Sequence, residues 1–220
     1  MPKSSYATTL TTVLSEIQKR VLKEKGFKKK GNVFNRTTTD GLIQTIAFQS
    51  GSYAPFAVDV PSMGFYPNSF YGKFTVNFGV FVPEVAHLLE KREASFIHEY
   101  HCEWALRGRI GGESTDKEIW LSLSDVPTTT VEALIPILEQ YCFAFLDKLE
   151  SREQVVAYLK TRSKSSNDRV VLAMILLNQE KKAEAVALLK EQYQASEDHK
   201  GHREYLINLA NRLELSISLP

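Results

Sequence analysis

The spacing of apolar residues changes along the chain from a helical pattern to strand alternation and back. Near the start, apolar residues recur every three or four positions, as they do on one side of a helix: Tyr6, Leu10, Val13, Leu14, Ile17 and Val21. Gly26 should end this helix, because glycine readily adopts the left-handed backbone geometry found just past helix ends.

Strand patterns follow the first helix. Residues 31 to 49 predict two strands joined through Asp40 and Gly41, since Asp-Gly is a common hairpin turn. Further on, apolar and other residues alternate without interruption, which predicts a strand with one buried face; its apolar positions are Phe74, Val76, Phe78, Val80 and Val82. Two more strands are expected near residues 104–110 and 119–123.

The second half of the chain has mainly helical spacing. A short helix should begin after Pro83, and a long helix over about 131–149 should be kinked by Pro136. From Ser151 onward we expect only helices, among them one tetratricopeptide-like hairpin. The fold class predicted is α+β: an antiparallel sheet of about five strands with helices packed on one face in residues 1–150, then a small all-helical subdomain in 151–220.

Composition places the chain among ordinary globular proteins, with 43% hydrophobic and 24% charged residues. We expect a cytoplasmic protein without a membrane partner, because the chain shows neither a secretion signal nor an apolar run long enough for a membrane helix. The net charge of +1 hides a division along the chain. Residues 1–40 carry nine Lys or Arg against three Asp or Glu, whereas residues 41–150 carry seven against fourteen.

Several short motifs resemble a bacterial family called domain of unknown function 4304. They are the string Gly26-Phe27-Lys28-Lys29-Lys30-Gly31 with Phe34, the strand segment Asn77-Phe78-Gly79-Val80, and Cys102-Glu103-Trp104 with Arg107, Arg109 and Trp120. The resemblance covers about residues 8–147 and implies a bacterial cytoplasmic α+β domain. It supplies no catalytic residues, and the helical tail lies outside it.

Two arginines stand close together on the strand predicted near residue 107. If Trp104, Leu106 and Ile110 face the core, Arg107 and Arg109 project from the other face, where Trp120 of the next strand could join them. Arginines beside an aromatic ring suit carboxylate, phosphate or nucleic-acid recognition. The alternative is that they form ion pairs with Glu118 or other acids of the acidic middle segment.

The stretch from residue 51 to residue 72 is long for a simple connection and rich in aromatic residues. Aromatic anchors on a loop are typical of protein interfaces, because they bury much area at small entropic cost. The alternative is that these rings complete the core. The residues concerned are Tyr53, Phe56, Phe65, Tyr66, Phe70 and Tyr71.

A possible metal site and a basic run complete the candidates. His98, His101 and Cys102 with two glutamates form the densest cluster of potential metal ligands, but a complete site would need ligands from elsewhere in the chain. No metal or other cofactor is therefore predicted. The basic residues of 23–36 could contact nucleic acid or could be a solvated surface.

No catalytic motif is recognisable, so the predicted function is a non-enzymatic protein-binding module with a protein partner of unknown identity. An immunity-type inhibitor of a bacterial toxin is its most specific version, because an acidic segment could oppose a basic nuclease. A nucleic-acid-binding protein using Arg107, Arg109 and the 23–36 run is the second hypothesis. A metal-dependent enzyme at residues 98–102 is the third.

Overall fold

The computed structural model describes residues 5–51, 72–90, 94–112, 118–124, 126–162 and 166–215. Within them, six antiparallel strands form one sheet in the order β1-β2-β3-β4-β5, and β6 also pairs with β4. The strands are β1 (Lys28–Lys30), β2 (Val33–Thr37), β3 (Ile43–Ser50), β4 (Lys73–Phe81), β5 (Arg107–Arg109) and β6 (Leu121–Ser122).

Helices lie before, between and after the strands along the chain. They are α1 (Ser5–Ile17), α2 (Pro83–Leu88), α3 (Pro127–Ile137), α4 (Ala144–Leu146), α5 (Arg152–Arg162), α6 (Ser166–Asn178), α7 (Lys182–Ala195) and α8 (Lys200–Arg212). Wider π-helical turns extend α1 over Gln18–Leu22 and join α3 to α4 over Leu138–Phe143. Among the described helices, none has both the length and the apolar character needed to cross a bilayer.

The predicted α+β class is confirmed, including the run of helices after residue 151. Three predicted strands are close to the observed β2, β3 and β4, and Gly41 in the turn between β2 and β3 has a φ of 78°. Two details differ. Strand β1 was not predicted, and the strand expected over 104–110 is only three residues long, because Trp104–Leu106 form a 3-10 turn instead.

Helices cover one face of the sheet. Ile46, Phe78 and Val76 lie on this face and are buried, and the Phe78 ring lies 5.3 Å from the ring of Phe145. Gln44 also points to this side and is fully buried. Its side-chain amide donates hydrogen bonds to the carbonyls of Leu146 and Leu149, which fixes the end of the long helical stretch against β3.

The other face of the sheet is polar, yet much of it is buried as well. Thr45, Thr75 and Asn77 lie on it and are each at most 4% exposed. The expectation that β4 has a single buried face was therefore wrong. The burial is possible because residues 94–106 cross this second face, with Cys102 packed directly over Gly79.

The hydrophobic core continues from the sheet into the C-terminal helices. A capping box begins α5, because Ser151 and Gln154 exchange side-chain-to-backbone hydrogen bonds. The next residue, Arg152, binds both carboxylate oxygens of Glu84 in α2, at 2.6 and 2.8 Å, and also contacts Asp40 in the β2–β3 turn. One side chain thus joins α5 to α2 and to the hairpin turn.

Replacing Arg152 should therefore destabilise the whole fold. Glu84 is only 8% exposed, and Arg152→Ala would leave its carboxylate buried without a cation. We expect the free energy of unfolding to fall by about 2 kcal/mol, less than for a fully buried pair because the guanidinium keeps some solvent contact. Urea denaturation measures the change. Arg20→Ala, which removes the exposed pair with Glu132, should leave the midpoint unchanged; equal midpoints for both variants would contradict the prediction.

Candidate functional site

A pocket opens on the polar face of the sheet where β4 meets β5. It encloses about 210 Å³. Its lining combines two arginines, two glutamates, an aromatic ring and small backbone-exposing residues: Asn77, Glu99, Trp104, Arg107, Gly108, Arg109, Gly112 and Glu118. The pocket thus contains both arginines that the sequence singled out.

Arg109 forms one wall of this pocket and is held on all sides. Its Nη1 lies 2.6 Å from a carboxylate oxygen of Glu118, and its Nε donates to Asn77 Oδ1 at 2.7 Å. Its Nη2 donates to the side-chain oxygen of Gln49 at 3.1 Å. Each of the three guanidinium nitrogens has a partner, so Arg109 fulfils the alternative prediction of ion pairing.

Arg107 differs from Arg109 in its partners. Its guanidinium lies over the Trp104 ring, 4.6 Å from the ring centre. No carboxylate of the described residues lies within ion-pair distance of it, and Arg107 is only half-buried. A guanidinium over a ring keeps its N–H groups available at its edge, so Arg107 presents unoccupied donors to the pocket.

Two exposed aromatic side chains form what we call the rim of the pocket: Trp104, which lines it, and Tyr100, which follows the lining residue Glu99 in the sequence. Trp104 is 67% exposed and Tyr100 is 60% exposed, although rings of this size are usually at least half buried. The sequence-based assumption that Trp104 faces the core was wrong, whereas Leu106 and Ile110 are fully buried as expected. Since Trp104 belongs to a 3-10 turn and not to β5, strand alternation does not apply to it.

Hydrogen bonds to the backbone of Ile97 hold residues 97–106, which we call the rim segment, on the sheet. The side-chain amide of Asn35 donates to the Ile97 carbonyl at 2.7 Å, and the Asn35 side-chain oxygen accepts from the Ile97 N–H at 2.8 Å. The Thr45 hydroxyl donates to the same carbonyl at 2.9 Å. These three bonds join β2 and β3 to the segment that carries Tyr100 and Trp104.

Farther along the chain, the same segment packs closely against β4 at Gly79, which has no side chain. A Cβ atom at this position would lie 3.0 Å from the Cys102 sulfur and 3.0 Å from the Leu106 carbonyl oxygen. These distances are shorter than normal van der Waals contact, so any side chain would push the 102–107 segment away from β4. The position of Arg107 opposite Gly79 therefore depends on this glycine.

The His98–Cys102 cluster forms a local turn instead of the strand considered from the sequence. The His98 N–H donates to His101 Nδ1 at 3.0 Å, and Cys102 is buried against β4. Within the described part of the chain, no group of three potential ligands lies close enough together to hold a metal ion. The turn also brings the rings of His98, Tyr100 and His101 into mutual contact.

Of the remaining aromatic candidates, one falls within the described residues and six fall outside them. Trp120 comes just before β6 and is half-buried, and it is not among the residues that line the pocket. All six aromatic residues predicted as a loop interface lie outside the described residues: Tyr53, Phe56, Phe65, Tyr66, Phe70 and Tyr71.

The basic run does not join the two arginines in one surface. Lys28–Lys30 form β1, which lies four strands away from β5 across the sheet, or about 19 Å at normal strand spacing. Arg36 is engaged by Asp147 and Glu150, and Lys25 lies over the Phe143 ring. The combined nucleic-acid surface considered from the sequence is therefore split between opposite edges.

Removing the Asn35 side chain should loosen the rim of the pocket. Asn35→Ala would leave the N–H of the buried Ile97 unpaired, and we expect a loss of about 1–2 kcal/mol in the free energy of unfolding. Amide hydrogen exchange of residues 97–106 should accelerate more than that of β3. Asn32→Ala is the control, because that side chain is exposed. Unchanged exchange at 97–106 would show that the hydrogen bonds do not hold this segment.

The turn at the rim should respond to acid through His101. Burial lowers the pKa of His101, the nearby His98 lowers it further, and Glu99 partly opposes them, so we expect a value below 6.5 by NMR titration. The neutral ring accepts the His98 N–H, so its stabilising effect is complete above the unfolded pKa and is lost as the pH falls through the folded pKa. His101→Gln should remove this pH dependence; a measured pKa at or above 6.5 would contradict the assignment.

No family model matches the chain, and no curated protein or solved structure matches it either. The resemblance to domain of unknown function 4304 stays an expectation from the sequence.

Proposed function

We propose that this protein is a non-enzymatic protein-binding module whose contact surface is the pocket and its aromatic rim. The observation that supports this most directly is Trp104, which is 67% exposed and carries the guanidinium of Arg107 on its ring. Tryptophan, tyrosine and arginine are the residue types that contribute most to binding energy at protein interfaces. Here Trp104, Arg107 and Tyr100 lie within eight positions of one another in the sequence.

The surroundings of these residues also favour a binding surface. Asn35 and Thr45 fix the rim segment to the sheet, so the backbone that carries Tyr100 and Trp104 is held in place by hydrogen bonds. A contact surface that is already ordered loses less entropy when it binds. A partner that covers both rings would remove their apolar area from water, which is the main favourable term in protein association.

An immunity-type inhibitor of a bacterial toxin is the more specific form of this proposal. Its support is the excess of fourteen acidic over seven basic residues in the 41–150 segment, which contains the pocket. An excess of negative charge on one protein accelerates its association with a basic partner. The identity of the captured partner decides between this form and other protein-binding roles.

A capture experiment tests the proposed surface. The tagged 220-residue chain, the Tyr100→Ala/Trp104→Ala variant and a Val126→Ala control would be incubated with lysate of the native host, and retained proteins identified by mass spectrometry. Val126 is a suitable control because it is apolar and 55% exposed but does not line the pocket. Circular dichroism would establish that all three proteins are folded.

We expect a partner that the wild type and the control retain and the double variant loses. The purified partner should then bind the wild type in calorimetry, with at least a tenfold weaker dissociation constant for the double variant, since loss of an interface aromatic commonly costs about 2 kcal/mol. A purified partner that binds all three proteins equally would refute this surface as the interface.

A further inference from the structure

We infer that the pocket receives the carboxylate of an Asp or Glu side chain of the partner, with Arg107 as its cation. This inference rests on the proposed protein-binding function and specifies the chemistry of the same site. The two arginines of the pocket differ in how their nitrogens are occupied. Arg109 uses all its nitrogens on Glu118, Asn77 and Gln49, whereas Arg107 keeps its donors unoccupied.

The position of Arg107 suits a planar anion. The Trp104 ring covers one side of the guanidinium, so a ligand approaches its edge, where pairs of N–H groups match the two oxygens of a carboxylate. Asn77 and the backbone at Gly108 complete the adjoining wall. An acidic side chain entering there would form two parallel hydrogen bonds and pass alongside the indole.

The charge of the lining favours a single negative charge. Arg107 and Arg109 are balanced by Glu99 and Glu118, so the four charged side chains sum to zero. A carboxylate adds one negative charge next to the unpaired Arg107. A phosphate dianion would bring two negative charges into a pocket that already contains Glu99 and Glu118, and these like charges would repel it. Nucleic acid is disfavoured for a different reason, since the lysines of β1 lie four strands away from β5 and cannot extend the pocket into one basic surface.

The size of the pocket favours a side chain over a free metabolite. Its volume of about 210 Å³ is below the roughly 300 to 1,000 Å³ typical of small-molecule sites. A single acidic side chain needs little room, and the exposed rings of Tyr100 and Trp104 would contact the surface from which that side chain projects. The pocket and the rim therefore fit one protein partner together.

Small probes test the inference without the partner. The ¹⁵N-labelled 220-residue chain would be titrated with N-acetylglutamate amide, N-acetylglutamine amide, N-acetylglycine or inorganic phosphate, with the Arg107 Nε–H and the Trp104 indole N–H observed by NMR. We expect both signals to shift with N-acetylglutamate amide, with a dissociation constant on the order of millimolar. The neutral glutamine probe should give no shift.

Substitutions at two pocket residues should change probe affinity in opposite directions. Arg107→Lys keeps the charge but loses the paired donors and should weaken binding several-fold, and Arg107→Ala should weaken it about tenfold or more. Glu99→Gln removes a like charge and should tighten binding about two- to fivefold. Arg20→Ala, which changes an exposed arginine outside the pocket lining, should have no effect.

Several results would overturn the inference. Tighter binding of phosphate would overturn the preference for a single charge, and tighter binding of N-acetylglycine would assign the pocket to a C-terminal carboxylate. If no probe shifts either signal while a purified partner still depends on Trp104, the carboxylate inference fails and the protein-binding function stands. Probe binding that depends on Arg107, in the absence of any Trp104-dependent partner, would instead refute the protein-binding function and the protein source of the carboxylate, and leave only the carboxylate chemistry of the pocket.

Discussion

The arrangement of the site depends on how the sheet holds the backbone of Ile97. Asn35 pairs with both its N–H and its carbonyl, and Thr45 donates to that carbonyl from the next strand. In a segment that is not paired as a strand, backbone N–H and carbonyl groups normally bind water, but this segment is buried against the sheet. The polar residues of β2 and β3 therefore provide the bonding that a neighbouring strand would otherwise supply. Because of this, the chain can cross the second face of the sheet and return to form β5.

This crossing explains why the exposed aromatic residues and Arg107 occur together. The segment is held at Ile97, packs through Cys102 on Gly79, and enters β5 at Arg107. Between Ile97 and Cys102 the chain turns outward and exposes Tyr100. A second turn, between Cys102 and Arg107, exposes Trp104. The residues on either side of Tyr100 and Trp104 are fixed to the sheet and face it, so these two side chains are left facing solvent.

The regular elements could be predicted from the sequence, whereas the rim could not. Alternation in Phe74–Val82 identified β4, and helical spacing identified α1 and the C-terminal helices, because each pattern reflects burial on one side of a repeating structure. The two short turns at 99–106 have no such repeat. Their shape depends on contacts with Asn35 and Gly79, which are distant in sequence, so Trp104 was assigned to a strand and to the core. The arginines were recognised, but only tertiary structure distinguishes the occupied Arg109 from the available Arg107.

The short strand β1 has a consequence for how the protein behaves among copies of itself. It is the terminal strand on its side of the described sheet, and all three of its residues are lysines. An open strand edge normally invites another chain to add to the sheet, which leads to aggregation. If the β1 strands of two copies paired, six ammonium groups would lie along the contact, and their mutual repulsion opposes the pairing. The lysines therefore act as a barrier to self-assembly at a place where backbone groups alone would promote it.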